Sequence, residues 1–453
     1  MNILVVCENF AGGGLETHIH SYYMELREEH NFIFAIGKYK SGLEFEKNHV
    51  IEGFHFGWES TIKEFSEDVD RLVRLIDSHK IDVIHVHPFF SFFPAVIASQ
   101  LTGVPIVCTY HGIASFSFCN RINDTILFHY MYTELVSRIF TVSEVGKLSL
   151  IEKMHVRDAV YIPNAVDSKL YKQHKVISNR KWAAISRLDA DNGKESALKN
   201  LFRLLPALHI DSIDVYGDGT QRKNLEEYVK NNGLADRVFF KGFQYDLYSR
   251  LDGQYNGIIG TDRVAIEGLT MGYPVMELGY GRICGIFDEK LFEDAKKCNF
   301  DANLLPECQD VEKLNAQLNS IRDNLEQFNF RKKMICDFDI KTVSKMYIES
   351  LSALPFYSRA NVVEWYYALK ALPNQNENLY RSQMVFATMR KYIEYYAVNP
   401  DIKLLFLFGG ECHDLRNAIA WIQDHGIEEN AQKNQINLLF RAKRKLKKLL
   451  KMQ

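Results

Sequence analysis

Residues 1–18 read MNILVVCENFAGGGLETH, an apolar run from Ile3 to Cys7, three glycines at Gly12, Gly13 and Gly14, and then a helix-forming stretch. A strand that ends in glycines and turns at once into a helix is the opening move of a nucleotide-binding α/β unit, because glycine lets the backbone approach an anion and the helix start presents unpaired amides. The same segment also reads simply as a tight strand-to-helix turn. The residues beyond it favour the α/β reading. Short Val- and Ile-rich runs alternate with longer amphipathic stretches: Phe32 to Ile36, a helix from about Ile62 to Lys80, Val83 to Val86, a helix from Ser91 to Leu101, a strand from Val104 to Thr109, and Ile139 to Val142 before a helix at Glu144. Such alternation is what a parallel sheet covered on both faces requires.

Polar residues from Lys172 to Arg180 form a linker, after which the plan repeats. Ala183 to Ser186, Ile213 to Tyr216, Val238 to Phe240, Gly257 to Gly260 and Val275 to Leu278 read as strands, with helices after Lys194, from Gln221 to Asn231 and from Val264 to Met271. The expectation is two doubly wound Rossmann-like domains, residues 1–170 and 178–350, facing a cleft where their strand ends meet. Residues 355–453 lose the strand pattern and are expected to be a helical extension. It closes with INLLFRAKRKLKKLLKMQ, in which Ile436, Leu439, Phe440, Leu446, Leu449 and Leu450 share one helical face and Lys and Arg cover the rest.

The bulk composition suits this plan. At 453 residues the chain exceeds one ordinary core, and 47% hydrophobic with 25% charged residues is the mixture of a folded protein. The formal net charge is −2, so no global field draws the molecule to nucleic acid. Eight cysteines, at 7, 108, 119, 284, 298, 308, 336 and 412, lack the short paired spacing of a zinc or redox site and read as reduced thiols of a cytoplasmic protein. The opening MNILVVCENF has no basic leader and is not read as a secretory signal. The uncharged stretch from Pro88 to Cys108 is broken by Pro94, Gly103 and Pro105, which favours a buried helix and strand over a membrane span.

Several side chains are placed to do chemistry. In SRLDADNGK, Arg187 ends a strand and Lys194 opens the next helix, a pairing of bidentate guanidinium and compact ammonium suited to a diphosphate, although two solvated surface cations read the same way. In VYGDGTQRKNLEE, Gly217 and Gly219 mainly supply a turn that carries Asp218. In GTDRVAIEGLTMGYPVMELGYGRICG, Glu267 is set back from a loop bearing Gly279, Tyr280, Gly281 and Gly285, an arrangement fit for the paired hydroxyls of a ribose if Glu267 is not merely a surface carboxylate. His111 follows a buried strand in CTYHGIA and is either a cleft residue or a satisfied structural histidine. His85 and His87 alternate on their strand, and without neighbouring carboxylates a metal site is disfavoured.

Taken in order, GGGLETH (12–18), DVIHVH (82–87), VCTYHG (107–112), FTVSE (140–144), YIPNAVD (161–167), AISRLD (184–189) with Lys194, VYGDGTQRKNLE (215–226) and IEGLTMGYPV (266–275) resemble the retaining, GT-B-fold glycosyltransferases of glycosyltransferase family 4. The resemblance covers roughly residues 1 to 350. It implies a nucleotide diphosphate sugar of UDP or GDP type as substrate, with Arg187 and Lys194 on the diphosphate, Glu267 on the ribose and His111 on the transferred sugar. It places Gly12 to Gly14 near the phosphates and acceptor, gives amides from the loop after Gly279, and calls for no metal or other cofactor. The family usually carries a further glutamate eight positions before the second, and here that position is Ile259, so the identity of the sugar does not carry over. Asp262 stands three residues on as a candidate replacement, and the Arg187 to Lys194 spacing is about two residues longer than usual.

Three functions are expectations at this point. The first is a retaining transferase acting on a hydroxyl acceptor in cell-surface polysaccharide or glycolipid synthesis, a lipid-linked glycan being one candidate acceptor, with the 436–453 tail touching the inner face of the plasma membrane. The second is a non-catalytic sugar-nucleotide-binding partner that lost turnover with the first glutamate. The third, a dinucleotide-dependent oxidoreductase, lacks the full spaced glycine fingerprint.

Overall fold

A computed structural model describes residues 1–388 apart from 11–13, 41, 89, 113–133, 155, 157, 191–192, 245 and 386–387. Gly12, Gly13, Cys119, Cys412 and the basic tail at 436–453 therefore lie outside the described residues.

The first unit runs β1 (Asn2–Phe10), α1 (Gly14–Leu26), β2 (Asn31–Tyr39), β3 (Val50–Ile51), α2 (Ile62–His79), β4 (Val83–Val86), α3 (Phe92–Thr102), β5 (Ile106–Tyr110), β6 (Arg138–Thr141), α4 (Glu144–Met154) and β7 (Ala159–Tyr161). Its seven strands are all parallel, in the order β3-β2-β1-β4-β5-β6-β7. Every residue of β4 and β5 is buried, which explains why these strands read as continuous apolar runs rather than as alternating ones. α2 starts sharply because Thr61 and Glu64 form a reciprocal capping box.

The second unit runs β8 (Lys181–Ile185), α5 (Lys194–Leu204), β9 (Ser212–Tyr216), α6 (Arg222–Asn231), β10 (Val238–Gly242), α7 (Leu247–Leu251), β11 (Gly257–Gly260), α8 (Arg263–Thr270), β12 (Val275–Gly279), β13 (Arg282–Ile286), α9 (Glu289–Lys297), α10 (Val311–Asp323) and α11 (Arg331–Phe338). The sheet order is β10-β9-β8-β11-β12-β13, parallel except for β13. Both sheets therefore reverse strand order once, between β1 and β4 in the first and between β8 and β11 in the second. In open parallel sheets that reversal opens the crevice in which ligands bind.

One element differs from the sequence reading. The glycine-bearing stretch after Gly279 is not an open loop but a two-residue turn, Tyr280 and Gly281 at φ 53° and 78°, that returns the chain as the antiparallel edge strand β13. Positive φ at both central residues gives the turn the twist a hairpin needs.

The chain then crosses back. Around Val166 and Asp339 the two units share a parallel bridge, with Val166 N donating to Phe338 O at 2.8 Å and Ile340 N to Val166 O at 2.9 Å. α12 (Ile340–Ser350) buries Val343 and Tyr347 in the core formed by Ile3, Val5 and Phe34 of the first sheet. α13 (Ala360–Lys370) buries Val362, Trp365, Tyr366 and Leu369 against α2 and α3. Trp365 stacks on Phe93 with ring centroids 5.2 Å apart. The beginning of the helical extension is thus part of the first unit's hydrophobic core.

Candidate active site

The second switch point carries the expected cations. Arg187 lies two residues beyond the end of β8, exposed, and Lys194 is the first residue of α5. What fixes Arg187 is the Gly217–Thr220 turn. Ser186 N donates to Tyr216 O at 3.1 Å, Leu188 N to Asp218 O at 2.9 Å, and Gln221 N to Leu188 O at 2.8 Å, so the backbone on both sides of Arg187 is tied to the end of β9. Asp189 completes the tie by accepting from Thr220 N at 2.8 Å and Thr220 Oγ1 at 3.0 Å. These two bonds hold the Asp189 carboxyl below its ordinary range, with smaller help from the charges of Arg187 and Lys194, so both cations stand near one carboxylate.

Asp262 follows β11 across the same switch point. It adopts φ 54° and ψ −122°, a conformation that strains any residue with a Cβ, and its amide donates to Phe300 O at 2.8 Å. Burial, followed by Asp301, raises its carboxyl to about 7, against the opposing pull of Lys194. Ile259 is 1% exposed in the middle of β11 and packs in the core. Only Thr261 and Asp262 connect β11 to α8, so the position eight residues before Glu267 lies within the strand.

Glu267 sits on α8 with 24% of its side chain exposed. Its Oε1 accepts from Tyr171 Oη at 2.9 Å and from Arg263 Nε at 3.0 Å. Arg263 also donates from Nη1 to Ala165 O at 3.0 Å, which attaches α8 to the segment that closes the first unit. Burial raises the Glu267 carboxyl while Arg263 opposes the rise. In the hairpin turn, the Gly281 amide donates to Gly193 O at 2.9 Å and Gly281 O accepts from Asn200 Nδ2 at 2.7 Å. Tyr280 and Gly281 thus brace the N-terminus of α5 beside Lys194, with the Gly281 amide spent on protein, while Gly279 packs on Thr261.

Across the cleft the first switch point is lined with histidines. His18 comes from the first turns of α1, which Gly14 opens, His87 follows β4, and His111 follows β5. His87 Nδ1 lies 3.0 Å from His111 Nε2, and the His18 ring stands edge-on to His111 at 5.1 Å. His18 Nδ1 meets Asn164 Oδ1 at 3.0 Å, and Asn164 Nδ2 donates to Asn299 Oδ1 of the second unit at 3.0 Å. Burial pushes all of these imidazoles down, His111 to about 4, and for His18 the nearby His111, His85 and Arg263 add to it, so they are neutral near pH 7. Among the described residues no group of three or more His, Cys, Asp or Glu side chains is placed to hold a metal ion.

The structure therefore places Arg187, Lys194, Gly217 and Asp262 at one set of strand ends, Glu267 on the helix after β11, and Gly14 and His111 at the strand ends of the first sheet. Sequence reading did not single out Tyr171, Asn164, His18 or Arg263. Arg263 had a signal, since it precedes Glu267 by four residues and must share its helix face. The pairing of Tyr171 with Glu267, 96 residues apart, had none.

Two units with nucleotide-type sheets joined by a crossing helix are the GT-B architecture, and comparison with known proteins agrees. The chain is similar to HepE of Anabaena solved with UDP and glucose, at 18% identity and TM-score 0.59 over 78% of this chain and 100% of that one. Similar too are sucrose-phosphate synthase from Thermosynechococcus elongatus, at 14% and 0.60 over 78% and 100%, and the apo lipopolysaccharide outer core galactosyltransferase WaaB, at 14% and 0.54 over 78% and 99%. These likenesses establish the GT-B fold. By sequence, residues 12–170 match the family model Glycosyltransferase Family 4. No curated protein matches the sequence. Among the described residues no helix is long and apolar enough to cross a membrane.

Proposed function

We propose that the chain is a retaining, metal-independent glycosyltransferase that moves a sugar from a UDP- or GDP-type donor to a hydroxyl acceptor. The observation that carries this reading is the pair Arg187 and Lys194, held at adjacent elements beside Asp189 on the second switch point. A nucleotide diphosphate is the ligand whose two negative phosphates suit that pair, and residues 178–350 would be the donor side. HepE was solved with UDP and glucose, which supports the same ligand class.

In this reading the bond between the sugar's anomeric carbon and the phosphate oxygen breaks, with its electron pair leaving on the phosphate. Arg187 and Lys194 stabilise that charge. The acceptor hydroxyl attacks the same face and its proton passes to the departing phosphate, so no side-chain base is required. Glu267, preset by Arg263 and Tyr171, takes the ribose; His111 takes the transferred sugar; Asp262 accepts from its hydroxyls in place of the missing glutamate. Gly12, Gly13 and Gly14 serve the donor phosphates and the acceptor in this reading. The product class is a cell-surface polysaccharide or glycolipid, and the 436–453 tail holds the enzyme at an anionic inner membrane face when the acceptor is lipid-linked.

Incubation with a panel of nucleotide sugars and hydroxyl acceptors, followed by detection of released nucleotide diphosphate and NMR of the product's anomeric proton, tests the proposal. Retained anomeric configuration is expected. Inversion would refute the retaining mechanism. Binding of a donor without release in any combination would favour the alternative, a non-catalytic sugar-nucleotide-binding partner, which the buried Ile259 at the first glutamate's position supports. Co-sedimentation with anionic vesicles, lost on removal of 436–453, tests the membrane contact.

A further inference from the structure

His111 is one of four packed imidazoles, and the four do different work. β4 and β5 are adjacent parallel strands, so residues at their ends are neighbours. His85, within β4, faces inward: its Nδ1 meets Tyr347 Oη at 2.8 Å and its Nε2 meets Thr109 Oγ1 at 2.7 Å, which ties α12 to the sheet. His87, just beyond β4, reaches Nε2 of His111 with its own Nδ1 at 3.0 Å. The two rings are 5.3 Å apart and inclined by 31°, while His18 stands at 86° to His111 and limits its tilt. His87 is itself anchored, its amide donating to Val6 O at 2.8 Å and its carbonyl accepting from Ser91 Oγ at 2.7 Å.

A neutral imidazole carries one N–H and one lone pair. When two neutral rings meet through a nitrogen of each, one must donate and the other accept, so the proton on one ring decides which nitrogen of the other is protonated. Flipping the His111 ring would break that contact.

We propose that His87 is a positioning residue that fixes the ring plane and tautomer of His111, and so decides whether His111 offers the transferred sugar a donor or an acceptor. The link to sugar transfer rests on the function proposed above, whereas the link between the two rings stands on the geometry alone.

Two measurements separate these claims. Asn at position 87 places an amide atom near the site of Nδ1, Gln near that of Nε2, and Leu offers neither. In imidazole 15N–1H correlation spectra of the full chain without donor, wild type and His87→Asn are expected to show His111 in one tautomer, and His87→Leu to show averaging between two. Kinetically, His87→Leu and His87→Gln are expected to lose on the order of 10- to 100-fold in kcat with donor KM little changed, the scale of a misplaced contact. His87→Asn is expected to recover most of it. A single His111 tautomer in His87→Leu, or equal losses in the Asn and Leu variants, would overturn the proposal. If His87→Leu does not fold, His87→Gln carries both measurements. Absence of turnover in wild type would sink the transferase reading and its sugar contact, and the spectra would still decide whether His87 governs His111.

Discussion

Gly217 passes so close to the carbonyl oxygen of Ser186 that a Cβ built on it would lie 1.9 Å from that oxygen, at a φ of 134°. No side chain fits there. The end of β9 has to press against the residue before Arg187 for Arg187 to stand at the cleft.

Gly217→Ala is therefore expected to force the SRLD backbone away and to lower both stability and donor binding, by more than the ~1–2 kcal/mol that a left-handed conformation alone costs. Gly233→Ala is the control: φ is 68° but nothing lies within 4 Å of the added carbon. It should cost only the conformational part and leave donor affinity unchanged. Chemical denaturation with donor titration of both variants measures the difference.

The GDG motif read in sequence as a turn is thus a turn with a second duty. Much of the fold was legible in the same way. The strand and helix pattern and the residues after β5, β8 and β11 follow from apolar periodicity and from which residue types end a strand, whereas the strand order that sets the two switch points does not. What was not legible depends on contacts between distant residues. Nothing near Trp365 shows that it stacks on Phe93, and nothing near Gly281 shows that its amide is used by Gly193. The count of eight residues back from Glu267 points to Ile259, whose burial inside β11 the count could not show.

Asp262 gives a pH-dependent prediction. Its carboxyl is raised from 3.8 to about 7, so folding favours its protonated form, and the fold loses stability as pH rises from about 4 to about 7. Asp262→Asn cannot ionise. It should match wild type near pH 4 and be more stable at pH 8, by at most about 4 kcal/mol at 1.36 kcal/mol per unit. If Asp262 takes sugar hydroxyls, the same variant raises donor KM. Equal melting curves at pH 4 and pH 8 for both proteins would refute the burial account.

The helical extension is expected to be structural at its start. Trp365 is 0% exposed and shares its core with α2 and α3. Trp365→Ala should cost about 3–5 kcal/mol, as large-to-small changes of buried aromatics do. A chain ending at residue 354 should expose that apolar face and aggregate or melt early. Calorimetry of both variants checks this, and unchanged stability would contradict the packing described.

Arg263 joins the units by donating to Ala165 O while holding Glu267. Arg263→Ala leaves Glu267, among the described residues, with the Tyr171 hydroxyl as its side-chain partner. Loss of stability of about 1.5–3 kcal/mol, the scale of a hydrogen bond to a charged group, is expected together with weaker binding of the nucleotide itself. Arg263→Lys should restore little of either, because an ammonium cannot bridge two acceptors in a fixed fork.

The central claim is that Arg187 and Lys194 hold a diphosphate. Thermal shift with UDP, GDP and their sugar conjugates measures it most directly, on wild type, Arg187→Ala and Lys194→Ala. The expected result is a rise in melting temperature with one nucleotide series in wild type, lost in both variants, whose own melting temperatures match wild type because neither residue is in the core. A shift that survives both substitutions, or none with any nucleotide in wild type, would contradict it.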